Sequence, residues 1–206
     1  MIRSSLLIAA ASAALSGCAL LSSPDPVQLY RFGGASAFAG TGATSACPDV
    51  HVSMRRVDFP EASNGDRILA VTGAEAAYIK GARWVSPAET LFEESLRNAF
   101  LDGATCTVLS SGPLTRDGLL LSVDVRRFEA AYAAPGAVPD ANIVVLLRLV
   151  RPGDRSIVAE DRISVSESAG ENRQSAIVAA FDRATAEASR QIVLWTDQQG
   201  SQATRD

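Results

Sequence analysis

The chain has 206 residues and a formal net charge of -4. Its length supplies enough apolar residues for the core of one globular domain. The slight acidic excess argues against a nucleic-acid-binding domain, which needs a basic surface, so no nucleic acid is expected as a partner.

Residues 1–17 have the pattern of a secretory signal peptide. Arg3 gives a positive start, the segment LLIAAASAAL gives an apolar region, and LSG gives the small residues that a processing enzyme requires. The apolar run is too short for a permanent transmembrane helix. The sequence therefore predicts export of the remaining chain.

The next residue, Cys18, is predicted to carry a lipid anchor. The order Leu15, Ser16, Gly17, Cys18 resembles the lipobox of bacterial lipoproteins, in which the cysteine is diacylated, becomes the first residue and is acylated on its new amino group. Three acyl chains exceed the two signals that stable anchoring requires. Ala19 is not the aspartate that resembles an inner-membrane retention signal, so the resemblance implies the outer membrane. The alternative is a soluble periplasmic protein that is cut elsewhere, with an incidental Cys18.

Residues 18–48 are predicted to be the lipidated cysteine and a flexible tether. They are rich in Ser, Pro, Gly and Ala, and the short segment VQLYRF is the main apolar feature. Their glycines do not follow the G-x-G-x-x-G spacing of a dinucleotide site.

The domain is predicted to span residues 49–197, and its first half contains a strand, an irregular extended region and a helix. VHVSMRRV alternates apolar residues as a half-buried strand does, and RILAVTG and AAYIKGARW form the extended region. In SPAETLFEESLRNAFLDG, Ser86 is predicted to cap the helix, Pro87 to occupy its first position, Glu89 to complete a capping box and Gly103 to end it.

The second half is predicted to contain further strands and a long helix. ATCTVLS, LLLSVDVRRFEAAY, IVVLLRLV and RSIVAEDRISVSES are the strands, and an apolar stripe from Ile177 to Trp195 marks the helix. Residues 198–206 are predicted to be a disordered tail. The order of elements predicts an α+β fold, with a mixed β-sheet of about five to six strands and two α-helices packed on one face.

Cys47 and Cys106 are predicted to form a disulfide. If Cys18 carries lipid, the other two cysteines are an even pair in an oxidising compartment. The predicted strand, helix and strand between residues 50 and 110 form a crossover that makes its strands parallel and brings the two cysteines together. The alternative is two buried free thiols.

No catalytic or metal-binding arrangement is predicted. His51 is the single histidine and lies within a predicted strand, and the sequence has no G-x-S-x-G elbow or P-loop. Adjacent carboxylates such as Glu93 and Glu94 point to different faces of an element, so they do not converge on one bond. The sequence therefore predicts a protein that is not an enzyme and has no cofactor or metal.

A partner surface is predicted around several aromatic residues. Tyr78, Trp84, Phe128 and Tyr132 are predicted to border an exposed apolar region. For Trp84, which directly precedes the helix, the sequence favours a position in the core over a place on this surface.

The whole mature chain resembles the ABC-type transport auxiliary lipoproteins, which include the paraquat-inducible protein C type. The resemblance rests on the lipobox, VHVSMRRVDFPE, RILAVTGAEAAYIKGARWVSPAETLFEESLRNAFLDG and RRFEAAY. Arg83, Trp84 and Ser86 match the best-marked segment of the family, so Arg83 joins the predicted partner surface.

The resemblance implies a lipoprotein of the outer membrane that faces the periplasm. Its partners would be the outer-membrane bilayer, a periplasmic MCE-domain protein and an inner-membrane ABC permease complex, which together move lipids between the membranes. The resemblance leaves open whether the chain also forms a homo-oligomer. The alternatives are a lipoprotein pilot or assembly factor for another envelope complex, and an envelope hydrolase, for which the sequence offers no nucleophile and base.

Overall fold

A computed structural model describes residues 26–38, 47, 49–110 and 118–205. These residues form an eight-stranded mixed sheet and two helices, which confirms the predicted α+β class, although the predicted strand count of five to six is too low. In chain order the elements are β1 (Gln28–Tyr30), β2 (Val50–Met54), β3 (Arg67–Thr72), β4 (Glu75–Trp84), α1 (Ala88–Gly103), β5 (Thr107–Leu109), β6 (Leu119–Tyr132), β7 (Asp140–Val150), β8 (Ile157–Ser168) and α2 (Gln174–Ala203).

Strand β6 is the centre of the sheet. Along one edge it pairs antiparallel with β7, which pairs with β8. Along its other edge it pairs parallel with β2 near its start and with β3 near its end. Strand β5 extends the first branch by pairing parallel with β2, and β4 and β1 extend the second. The parallel pairing of β2 and β5 is the one expected of the predicted crossover.

The alternation of β6 gives the sheet one buried face. Leu119, Leu121, Val123 and Val125 are buried, and a register shift between Val125 and Arg127 changes the phase. After this bulge the buried residues are Phe128 and Ala130. The bulge therefore keeps a large aromatic side chain in the core.

Both helices cover this buried face. The ring of Phe181 in α2 lies 4.8 Å from the ring of Phe128, and the ring of Phe92 in α1 lies 6.3 Å from it. Because one residue of β6 contacts both helices, they lie on the same side of the sheet, as predicted.

The start of α1 differs from the predicted capping box. Pro87 is the N-cap, with an extended ψ of 137°, and no side chain caps the helix. Instead, the N–H of Ala88 donates to the carbonyl of Gly65 at 2.9 Å. Glu89 forms an ion pair with Arg56. The loop before β3 thus takes the role predicted for Ser86, because it lies directly against the first turn.

The predicted tether is wrong for residues 26–38, which pack on the domain. Strand β1 pairs with the end of β4, and Phe32 is only 1% exposed. The ring of Phe32 lies 4.9 Å from that of Trp84 and 5.2 Å from that of Phe128. This apolar contact holds a segment whose composition alone predicts no fixed structure.

The predicted disordered tail at residues 198–206 is also wrong for most of its length. Helix α2 continues to Ala203, and a Cβ added to its buried Gly200 would lie 3.2 Å from Val50. The carbonyl of Ala203 accepts a hydrogen bond from Arg151 at 2.6 Å. Packing of the last helical turns on β2 explains why the helix extends past the apolar stripe.

The predicted signal peptide and Cys18 lie outside the described residues. Within the described part of the chain, no helix combines the length and the apolarity needed to cross a bilayer.

Candidate functional site

Two members of the predicted partner surface, Trp84 and Phe128, belong to the core. Each is 2% exposed, and their ring centroids are 6.4 Å apart. Phe181 of α2 lies edge-on to Trp84 at 5.4 Å. These contacts agree with the core position that the sequence favours for Trp84, and the prediction that the two residues belong to an exposed partner surface is wrong.

The other three predicted residues are partly exposed but do not share one face. Tyr78 and Arg83 lie on the open face of the sheet: the Tyr78 hydroxyl donates to the carbonyl of Ala62 at 3.1 Å, and Arg83 donates to Asp66 at 2.8 Å. Tyr132 lies on the helical side, where its hydroxyl donates to Asn172 at 3.1 Å. Partial burial raises the pKa of Tyr132.

The open face of the sheet carries a groove of about 520 Å³ that charged side chains border. The face comes from outward positions of β6, β7 and β8 and from the segment after β2, and the groove is lined by Arg55, Asp58, Ser122, Asp124, Leu146, Leu147, Arg148, Glu160, Asp161 and Arg162. Arg148 and Glu160 form an ion pair at 2.5 Å across β7 and β8, and Arg126 pairs with Asp124 at 3.1 Å. The mixture of both charges suits a hydrophilic partner surface better than an acyl chain.

The predicted disulfide between Cys47 and Cys106 is present, with a Cα–Cα distance of 5.5 Å. Asp197 of α2 lies beside it and is 7% exposed. Its Oδ2 accepts hydrogen bonds from the N–H of Thr105 at 2.7 Å and from the Thr105 hydroxyl at 3.0 Å. Its Oδ1 accepts from the N–H groups of Cys106 at 3.3 Å and Thr107 at 2.8 Å. The carboxylate therefore binds the strand that the disulfide joins to residue 47.

A second aspartate of α2 binds the N-terminal segment. Oδ1 of Asp182 accepts hydrogen bonds from three successive N–H groups, those of Gly33 at 2.7 Å, Gly34 at 2.9 Å and Ala35 at 3.2 Å. Gly33 has a φ of +86°, which lets the three N–H groups converge on one oxygen. Sequence analysis missed both aspartates, because nothing local marks an aspartate that pairs with a distant backbone.

Glu187, on the surface of α2, has a lowered pKa. Hydrogen bonds from the Arg190 side chain lower the pKa of Glu187, and Gln191 adds a further hydrogen bond with the same effect. The shortest Arg190–Glu187 contact is 2.7 Å. The pair spans three residues on the helix surface, so it belongs to the helix and not to the groove.

Within the described part of the chain, His51 belongs to no group of side chains that could hold a metal ion. His51 is exposed in β2 and pairs with Val108 of β5. Within the described ranges, no three His, Cys, Asp or Glu side chains are grouped so that they could hold a metal ion. The features the chain does present are the open groove and the two aspartates that fix backbone segments on α2.

Comparison with known proteins gives a family and a fold. The family model described as "ABC-type transport auxiliary lipoprotein component" matches residues 35–193. The structure is similar to protein XCC0632 of Xanthomonas campestris, a DUF330 protein, with a TM-score of 0.76 and 24% identity over 87% of this chain and 100% of that chain. It is also similar to an uncharacterized protein with a TM-score of 0.62 and 17% identity, over 82% of this chain and 98% of that chain. No curated protein matches the sequence significantly.

Proposed function

Because the chain belongs to the ABC-type transport auxiliary lipoprotein family, we propose that it is a non-catalytic accessory component of an ABC-transporter system. In this proposal the system includes a periplasmic MCE-domain protein and moves lipids between the two membranes. The observation that carries the proposal is the family match, which covers residues 35–193 and thus most of the domain. The lipobox at Cys18 supports the same function, since an auxiliary lipoprotein requires an anchor.

The protein is proposed to face the periplasm from the outer membrane, held by acyl chains on Cys18. Eight Cα–Cα steps separate Cys18 from Pro26, the first described residue. A step spans at most about 3.6 Å, so in any conformation the domain begins within about 29 Å of the anchored residue. This is a much shorter reach than a tether of residues 18–48 would allow. A transporter component must therefore approach the outer membrane to meet this domain.

The open face is the proposed docking surface for the MCE-domain protein or the ABC permease complex. The helices cover the other face, whereas the groove between Arg55 and Arg162 presents charged side chains of both signs. Exposed groups of both signs fix the orientation of a partner more than they raise its affinity. The contact is expected to be specific and salt-sensitive.

Photo-crosslinking in intact cells tests the proposal. A crosslinking amino acid at Ser122, in the groove, is expected to capture an MCE-domain or permease protein that mass spectrometry identifies after purification from membranes. The matched control is the same amino acid at Leu194, which is exposed on α2. Recovery of only a secretin or another outer-membrane protein at Ser122 would contradict transport and favour an assembly factor.

The anchor is tested separately with Cys18→Ser. This variant is expected to lose labelling by palmitate and to leave the outer-membrane fraction. Continued labelling and continued outer-membrane residence would show that the anchor is elsewhere.

A further inference from the structure

Exposed apolar side chains concentrate at one corner of the sheet. Among the described residues, nine large apolar side chains are exposed, and four of them, Val27, Leu29, Tyr78 and Val85, lie on or next to β1 and β4. Val27, Leu29 and Val85 are each about half exposed. Such a concentration indicates a contact surface, whereas single exposed apolar residues need no explanation.

Three arginines lie on the same face of this corner. The strand register places Leu29 of β1 beside Arg83 of β4, and Arg83 beside Arg67 of β3. Directly paired residues point to the same face of a sheet, so the side chains of Leu29, Arg83 and Arg67 form one row. On β1 the side chains of Tyr30 and Phe32 face the helices, so Arg31 between them faces outward with Leu29.

We name this corner the anchor-side patch. It consists of Val27, Leu29, Val85, Arg31, Arg67 and Arg83.

The anchor-side patch is basic within an acidic chain. Arg83 pairs with Asp66, whereas the guanidinium of Arg67 lies over the Tyr78 ring, 3.7 Å from its centre. Arg31 is exposed. In the groove, by contrast, carboxylates accompany the arginines. Arginines beside exposed aliphatic side chains and a tyrosine suit the headgroup region of a membrane, where phosphates and apolar chains meet.

The patch also lies where the chain enters the domain. Val27 directly follows Pro26, whose carbonyl lies 3.9 Å from the Cβ position of Gly81 in β4. The chain between Cys18 and Pro26 can span at most about 29 Å. We propose that the anchor-side patch rests on the inner leaflet of the outer membrane, where its arginines bind lipid phosphates and Val27, Leu29 and Val85 enter the headgroup layer. The location in the outer membrane rests on the proposed acylation of Cys18.

This contact leaves the groove free for a protein partner. The patch is centred on β1 and β4, and β7 and β8 line the far part of the groove. Four strand-to-strand steps lead from β1 to β7, and each step rotates a sheet by about 20–25°. The part of the groove on β7 is therefore turned by about 80–100° from the patch. A domain with the patch on the bilayer presents the groove sideways into the periplasm.

Fluorescence quenching on the acylated full chain tests the contact. Leu29→Cys carries an environment-sensitive dye, and the protein is placed in vesicles of phosphatidylglycerol and phosphatidylcholine that contain a headgroup-labelled quencher. The control is Leu101→Cys, on α1 and 80% exposed. Several-fold stronger quenching at position 29 is expected. Equal quenching at the two positions would overturn the proposal. It would also be overturned if the dye at position 29 changes its emission only after a partner protein is added, because the patch would then bind protein and not lipid.

A second measurement does not depend on acylation. The Cys18→Ser chain is expected to cosediment with phosphatidylglycerol-containing vesicles and far less with phosphatidylcholine alone. An arginine at an anionic surface contributes about fivefold to binding, so Arg31→Glu with Arg67→Glu should weaken it by about 30-fold or more. Reversal of Arg155 and Arg205, which are exposed and lie outside both the patch and the groove, changes the net charge equally and should have little effect. Equal losses in the two double variants would refute the patch.

The two measurements separate this inference from the proposed function. If Cys18 is not acylated, its free thiol reacts with the dye in the first experiment, and the proposed lipid anchor is refuted. The cosedimentation experiment still tests whether the anchor-side patch binds lipid. If Cys18 is acylated and position 29 is not quenched, the anchor holds and the patch is refuted. Circular dichroism of each variant verifies that the fold is retained.

Discussion

Asp197→Asn is expected to destabilise the domain because the carboxylate uses both oxygens. Oδ1 accepts from the N–H groups of Cys106 and Thr107, and Oδ2 accepts from the N–H and the hydroxyl of Thr105. An asparagine replaces one oxygen with an NH2 group that faces donors. The least costly orientation places NH2 toward Thr105, because its hydroxyl can turn and accept a hydrogen bond.

Even in that orientation one N–H group, that of Thr105, loses its acceptor. The Thr105 N–H is partly buried, so the loss of its acceptor costs about 1 kcal/mol, at the low end of the range for a buried donor. The hydrogen bonds that remain lose the contribution of the negative charge. The expected loss in the free energy of unfolding is about 2–3 kcal/mol.

Asp182→Asn is the matched control on the same helix. There a single oxygen, Oδ1, accepts all three N–H groups, so the amide oxygen can replace it and the NH2 group takes the other position. Asp182 is also partly exposed, and its loss is expected to be about 1 kcal/mol.

Urea denaturation of the Cys18→Ser chain, followed by circular dichroism, measures both losses. The reasoning is wrong if the two asparagine variants differ by less than about 0.5 kcal/mol, which is close to the resolution of such comparisons. It is also wrong if Asp182→Asn is the more destabilising variant.

Three further predictions use the same assay. Replacing Cys47 and Cys106 by serine removes a crosslink over 59 residues and is expected to cost about 4 kcal/mol, a difference that should vanish when both chains are measured in reductant. Gly33→Ala forces a side chain at a φ of +86° and should cost about 1–2 kcal/mol, whereas Gly34→Ala, with open space at its Cβ, should cost under about 0.5 kcal/mol. Glu187 has a lowered pKa, so its small contribution to the free energy of unfolding is complete above the unfolded pKa and is lost as the pH falls through the folded pKa. The difference in the free energy of unfolding between the parent chain and Glu187→Gln should therefore disappear in acid, and a difference that does not change with pH would contradict this.

The elements predicted well from the sequence are those with long periodic patterns. Strand β6 alternates apolar residues from Leu119 to Val125, and the apolar stripe of helix α2 runs from Ile177 to Trp195, so local propensity and burial agree there. Strand β1 has three residues in a region rich in Gly, Ser and Pro. Its position depends on Phe32 packing against Trp84 and Phe128, and on the hydrogen bonds to Asp182. Contacts between residues so distant in sequence are not visible in a local pattern.

The error at the predicted partner surface has a similar cause. Extending the alternation of Leu119, Leu121, Val123 and Val125 places residue 127 inward and Phe128 outward. The register shift after Val125 reverses this phase and puts Phe128 in the core. A bulge is set by the pairing of two strands, so a single strand's sequence does not show it.

The two aspartates of α2 connect the proposed anchor to the proposed docking surface. Asp182 and Asp197 are fifteen residues apart, about 22 Å along the helix. The first holds residues 33–35, and the second holds residues 105–107, which the disulfide joins to Cys47. The segment that follows the anchor is thus fixed to α2 at two separate points. Because α2 packs against β7 and β8, behind the groove, the same helix sets the orientation of the groove relative to the membrane.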